Sequence, residues 1–241
     1  VRIAILSDIH GNRTALEAVL DDLRKTSPDA VFHGGDLSDT GSSPAYVLDC
    51  IRDRGWQGVM GNTDEMLVQP DTLEDFARQS KGPPALWNAI LEIAEATRST
   101  LGEDRLRWLR SLPKIYLSAA FALVHATPES CWRVHSPNAT DEELCETYGS
   151  FHRPLVVYAH THQPSIRRIP SGDLLLINTG SVGLPYDGDP RASYLLLEDN
   201  VPSIRRVEYD TGEELKALSL SGLPHAEWVA RILRTATPQL P

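Results

Sequence analysis

The chain opens on an unbroken apolar run, Val1–Leu6, as a strand buried on both faces requires. From Asn12 to about Lys25 the spacing changes to helical, with Leu16, Val19, Leu20 and Leu23 sharing one face. Ala30–His33 reads as a second short strand, the region around Ala45–Arg54 as a helix, and Trp56–Met60 as a third strand. Alternating strands and helices predict a sheet whose functional edge lies at the carboxyl ends of its strands.

Residues 64–112 carry helical signals instead, Leu86–Thr97 and Glu103–Leu112, set off by Gly82-Pro83-Pro84 and Gly102. They are read as a helical insert near the site mouth that serves packing more than recognition. From Lys114 the pattern turns to short strands: Ile115–Ser118, Phe121–Val124, Leu155–Tyr158, Ser165–Ile169, Leu174–Asn178, Ser193–Leu197 and Ser203–Val207. Turn residues such as Pro170-Ser171-Gly172-Asp173 separate them. These strands predict a second sheet packed on the first. The tail, Thr211–Thr235, is expected to be helical, with Trp228, Val229, Ile232 and Leu233 as its apolar stripe. The expectation is a single α/β domain over residues 1–241: two facing mixed β-sheets flanked by helices, a four-layer α/β/β/α sandwich.

Seven residues of metal-ligating type fall in five short blocks, four of them directly after a strand-like run. They are Asp8 and His10 in SDIHGN, Asp36 in GGDLSD, Asn62 in GNTDE, His125 in LVHATPE, and His160 with His162 in AHTHQP. Four imidazoles, two carboxylates and an amide suit two borderline divalent cations better than they suit a core. Asp8 and His10, like His160 and His162, are two residues apart and would project to one side of an extended segment. Gly34 and Gly35 allow close backbone approach beside Asp36, whose two oxygens make it the natural bridge. Asp39 is a candidate hydrogen-bond partner for a ligand imidazole. His33 is expected to be a satisfied buried histidine, and His135, His152 and His225 to be solvated.

In order and content these blocks resemble the calcineurin-like metallophosphoesterase superfamily, whose pattern reads D-x-H, G-D, G-N-H-D/E, H and G-H-x-H. The resemblance runs to about residue 208, and NTGSVGLPYDGDPRASY (178–194) is similar to its small prokaryotic predicted-phosphodiesterase branch. It implies Asp8, His10, Asp36 and His162 on one ion, and Asp36, Asn62, His125 and His160 on a second. It further implies hydrolysis of small phosphate esters by a hydroxide shared between the ions, with Asp8, Asp36, Asn62 and Asp64 as catalytic residues. The mixed nitrogen and oxygen set suits Mn²⁺, with Fe²⁺ or Zn²⁺ as alternatives. Two departures stand out. Ala159 replaces the family's usual Gly, and Thr63 stands where many members carry the His that protonates the leaving oxygen. Thr63 is read as the N-cap of a helix from Asp64, with Asp64 or water left to help the leaving group. Weakly basic leaving groups need that help least, which favours phosphodiesters, anhydrides or aryl esters over alkyl monoesters.

Asn12, Arg13, Thr63 and Arg191 are the candidate substrate contacts, although Arg191 can equally pair with Asp189. A hydrolase of dinucleoside polyphosphates is the alternative enzyme, and a catalytically weak binding or scaffold member of the fold the alternative of another class. The net charge of −10, with no basic run beyond the pairs Arg167–Arg168 and Arg205–Arg206, argues against a nucleic-acid partner. No apolar run of membrane-spanning length occurs. A strand at Val1 leaves no room for a signal peptide, and three irregularly spaced cysteines read as free thiols. The expected location is the cytoplasm, with a homo-oligomer left open.

Overall fold

A computed structural model describes residues 1–241. The chain begins β1 (Arg2–Leu6), α1 (Arg13–Thr26), β2 (Ala30–His33), α2 (Pro44–Asp53), β3 (Gln57–Gly58). Four helices follow: α3 (Asn62–Val68), α4 (Asp71–Gln79), α5 (Pro84–Leu101) and α6 (Glu103–Arg110). The second half runs β4 (Ile115–Leu117), β5 (Ala122–Val124), α7 (Asp141–Tyr148), β6 (Leu155–Tyr158), β7 (Ser165–Ile169), β8 (Leu174–Asn178), β9 (Ala192–Glu198), β10 (Val201–Val207), α8 (Thr211–Leu220) and α9 (Ala226–Thr235).

Two five-stranded mixed sheets result, ordered β10-β9-β1-β2-β3 and β4-β5-β6-β8-β7. Ile5, Leu195 and Leu197 of the first meet Phe121, Leu123, Val157 and Ile177 of the second in one apolar layer. On the alternate positions, Ala4, Leu6, Tyr194 and Leu196 pack instead on α1 and α2 through Leu16, Val19, Val47 and Leu48. The outer face of the second sheet, Val124, Val156 and Leu176, is covered by Leu144 and Tyr148 of α7. Period-two alternation with both faces apolar therefore builds the four layers. No helix is long and apolar enough to cross a membrane.

The structure differs from the sequence reading in three places. β9 and β10 join the first sheet, β9 pairing antiparallel with β1 from Arg2↔Glu198 to Ile5↔Leu195. Alternation marks a strand without naming its neighbour, so the pattern alone assigned them to the wrong sheet. The single tail helix is two, broken between Leu220 and Ala226, where Gly222 and Pro224 stop propagation. α7 was not anticipated, although its signal is present. The Thr140 side chain accepts from the Glu143 N–H while the Glu143 carboxylate accepts from the Thr140 N–H, a complete capping box.

His33 ends β2 fully buried, its ring centroid 6.2 Å from that of Trp108, and neither ring nitrogen has a partner. It is buried, then, but not satisfied. Burial depresses its pKa to about 4 from an ordinary value of 6.5. Between these values the unfolded chain binds a proton that the folded chain refuses, so stability falls as pH drops from about 6.5 to about 4. His33→Leu removes that penalty. Its advantage over the wild type should be larger at pH 4.5 than at pH 7.5 by on the order of 2–3 kcal/mol, measured by urea unfolding. An advantage that does not change with pH would rule out His33 as the titrating group.

Candidate metal centre

All parallel strands of both sheets end at one place. Asp8 follows β1, Asp36 follows β2, Asn62 follows β3, His125 follows β5, and His160 with His162 follow β6. The loops are tied together by backbone hydrogen bonds: Asp8 N to Gly35 O (3.0 Å), His10 N to Asp36 O (3.0 Å), and Ala159 N to His125 O (2.9 Å). Gly35, at φ +88°, lies so close to the next loop that a Cβ there would sit 2.4 Å from Gly61 N.

Asp8, His10, Asp36, His160 and His162 all adopt left-handed backbone conformations, with φ between 50° and 68°. Their convergence therefore does not come from alternation along extended segments, as the two-residue spacing suggested. Each turns out of its strand at a positive-φ residue, a strained arrangement that non-glycine residues keep where the surroundings enforce it.

The donors form two groups that share Asp36. Ligand atoms of Asp8, His10, Asp36 and His162 lie within 4.8 Å of one another, as do those of Asp36, His125 and His160. Asp36 Oδ1 accepts from the Thr63 N–H at 2.9 Å. Its Oδ2 is left between the groups, 3.4 Å from His125 Nε2 and 3.7 Å from His10 Nε2. Asn62 Oδ1 lies 2.9 Å from His125 Nε2 and 2.8 Å from His160 Nδ1.

Three imidazoles are oriented by backbone carbonyls. Nδ1 of His10 faces Asp39 O (3.1 Å), that of His125 faces Gly34 O (2.7 Å), and that of His162 faces Leu184 O (2.5 Å). Donation from Nδ1 is the arrangement that directs the Nε2 lone pair of a neutral ring inward, as metal-binding histidines require. Asp39 thus contributes its carbonyl and not its carboxylate. His10 Nε2 and His162 Nε2 stand 3.2 Å apart, and the buried Asp8 Oδ1, 3.3 Å from His162 Nε2, makes no hydrogen bond. Lone pairs gathered without protons between them fit a cation. Burial and the neighbouring His162 lower the pKa of His10 to about 4, and burial and His125 do the same for His160, so both rings are neutral at pH 7. Against its own burial, Asp36 raises the pKa of His125 to about 9, marking that position as one that attracts positive charge.

A family model for the calcineurin-like phosphoesterase superfamily domain matches residues 1–200. The chain belongs to the calcineurin-like phosphoesterase superfamily. Within it, the chain is 30% identical to an uncharacterized protein of Methanocaldococcus jannaschii, the match covering 96% of each. Among solved structures it is similar to a metallophosphoesterase from Sphaerobacter thermophilus (TM-score 0.79, 26% identity, covering 98% of this chain and 99% of that one). It shares its fold with a hypothetical protein from Pyrococcus horikoshii (TM-score 0.83, 17% identity, covering 99% of each).

The other candidate residues of this calcineurin-like chain take different places. Asp64 is fully buried and does not face the cleft. Its carboxylate accepts from the N–H groups of Asp36 (2.8 Å), Leu37 (3.0 Å) and Gly61 (3.0 Å), so it holds the Asp36 loop and has no path to a leaving group. Thr63 is not the cap of α3, which begins at Asn62; Asp36 and Asp64 supply the capping acceptors, and the Thr63 hydroxyl is buried without a partner beside the cleft. Asn12 caps α1 through Ala15 N (2.9 Å) and donates to Gly183 O (3.0 Å). Arg13 pairs with Glu17 (2.8 Å) and stacks on Tyr46, and Arg191 pairs with Asp189 (2.6 Å). Neither arginine lines the cleft.

Two contributors escaped the sequence reading. Asn178 donates to Ala159 O (2.7 Å) and Thr161 Oγ1 (3.0 Å) and so braces the loop of His160 and His162. The stretch after it lies against the first loop: a Cβ on Gly183 would fall 1.8 Å from Ile9 O. Tyr186 stacks on His162 with centroids 4.3 Å apart and lines the cleft. Burial raises its pKa, so the phenol is protonated at neutral pH. Block 178–194 held both residues, but no spacing tied either to the ligands.

The cleft over the donors measures 340 Å³. Met66, Leu73, Phe76, Leu86, Trp87 and Ile90 form much of its wall, so the helical segment read as packing builds the mouth of the site.

Proposed function

We propose that this protein hydrolyses small phosphate esters, phosphodiesters foremost, at a dinuclear metal centre. The observation that carries this reading is the division of labour within Asp36, with Oδ1 fixed by a backbone N–H and Oδ2 common to both donor groups. Asp8, His10, Asp36 and His162 would hold one ion, and Asp36, Asn62, His125 and His160 the other. Two such ions supply Lewis acidity toward phosphoryl oxygens and an activated water for in-line displacement. Mn²⁺ is the favoured occupant, with Fe²⁺ or Zn²⁺ as alternatives, because imidazole-rich sets discriminate against Mg²⁺ and Ca²⁺.

The chain's own groups then orient and exclude. Asp64 holds the Asp36 loop, three carbonyls fix three imidazoles, and the apolar wall keeps bulk water from the ester. No imidazole stands at Thr63 to protonate a departing oxygen, and Asp64 is committed elsewhere. Substrates whose leaving oxygen is a weak base are therefore favoured. No Lys or Arg lines the cleft, which argues against a chain of phosphates and so against the dinucleoside polyphosphate alternative. The three free cysteines support a reducing compartment such as the cytoplasm.

The test is turnover of bis(4-nitrophenyl) phosphate, 4-nitrophenyl phosphate and diadenosine tetraphosphate by one Mn²⁺-loaded preparation. The diester is expected to have the highest kcat/KM. Preference for the anhydride would overturn the phosphodiester assignment, and no hydrolysis of any of the three would overturn the enzyme assignment itself.

A further inference from the structure

Beside the donors, the cleft is lined by aromatic side chains: Phe76 on α4, Trp87 on α5, Trp132 and Trp228 on α9. Phe76 lies at the centre of this wall. Its ring is edge-on to Trp87 at 5.8 Å and tilted against Trp132 at 5.0 Å.

The indole N–H groups do not serve the cleft. Trp87 donates to Gly82 O (3.1 Å), Trp132 to Glu65 Oε2 (2.6 Å) and Trp228 to Gln239 O (2.8 Å). The Glu65 carboxylate is itself nearly buried and held by Lys114 at 2.6 Å, so the Trp132 ring is anchored from behind by an ion pair. With their polar edges turned into the protein, these rings offer the cleft apolar surface. The wall is thus built to receive π-faces and hydrocarbon, and it carries no cation that would greet a second phosphate.

Resting on the phosphoesterase reading above, we infer that the substrate carries one phosphoryl group esterified to a flat, largely apolar ring system that seats against Phe76, Trp87 and Trp132. A nucleobase fits this wall less well. It is also flat, but its edge atoms need hydrogen-bond partners, and the three indole N–H donors of the wall are already engaged.

Binding, not turnover, tests this. Affinities of the Mn²⁺-loaded protein for methyl-, phenyl- and 1-naphthylphosphonate, and for the phosphonate isostere of adenosine 5′-monophosphate, can be measured by calorimetry. None of these is cleaved at its C–P bond. Affinity should rise from methyl to naphthyl by about tenfold or more, since stacking and apolar burial each add of order 1 kcal/mol. The adenosine compound should bind more weakly than the naphthyl one. Trp87→Ala should bring the naphthyl-to-methyl ratio close to one, and Phe76→Ala, on a different helix, should lower it as well. Equal affinities across the series, tightest binding of the adenosine compound, or a ratio unchanged in both variants would each overturn the inference. Failure of the phosphoesterase reading looks different: the protein would turn over no ester whatever its ranking of phosphonates.

Discussion

Asp36→Asn is expected to reduce turnover of an aryl phosphodiester by on the order of 10³-fold, the scale of removing one preorganised transition-state group. The fold should survive it. The amide oxygen can still accept from the Thr63 N–H, as Asp36 Oδ1 does at 2.9 Å, so the cap of α3 is kept. That hydrogen bond then turns the amide NH₂ toward the place of Oδ2, where the two donor groups converge. A donor group replaces the shared acceptor, and both proposed ions lose their common charge. Circular dichroism like the wild type's, with metal content well below two ions per chain, is the expected companion result. Turnover within a few-fold of the wild type would mean that Asp36 does not bridge.

Removal of divalent cations should have the second largest effect, and stability shows it as plainly as activity. Two buried carboxylates and four imidazoles crowd one end of the sheets, with Asp8 Oδ1 left unpartnered. An ion bound only by the folded chain adds about 2.7 kcal/mol at a hundredfold excess over its Kd. For a chain of this length, 1 kcal/mol moves Tm by roughly 2–4 °C, so each ion should be worth about 5–10 °C. Melting with saturating Mn²⁺ and with excess chelator, alongside hydrolysis of the diester, checks both effects. Identical melting curves and undiminished hydrolysis in chelator would sink the dinuclear reading. In Asp36→Asn the gap between the two curves should shrink.

The ligand blocks were legible because polar residues at the ends of apolar strands have few other reasons to be there. Asp8, Asp36, Asn62, His125, His160 and His162 each announce themselves against a hydrophobic run. How they converge was not legible, since φ at Asp8 or His160 is dictated by the loops packed around it. β9 and β10 were recognised as strands and assigned to the wrong sheet, because alternation carries no information about partners. The cleft wall was invisible for a related reason. Phe76, Trp87, Trp132 and Trp228 come from separate segments and meet only in the folded chain. Asp64 shows the converse error, in which a residue of the right chemistry beside the site proved to be fastened to three backbone amides.

The five left-handed candidate ligands have an evolutionary corollary. Each holds a non-glycine side chain in a backbone region that costs on the order of 1 kcal/mol relative to glycine. Glycine at any of them would relieve that backbone strain but remove the side chain the proposed centre needs, and at Asp36 it would also remove the acceptor of the Thr63 N–H. Backbone strain alone thus favours glycine over Asp or His at these positions. A chain released from any role for this centre is expected to shed that strain, with glycine appearing at the positions of Asp8, His10, His160 and His162 before Asp36, whose carboxylate also caps α3.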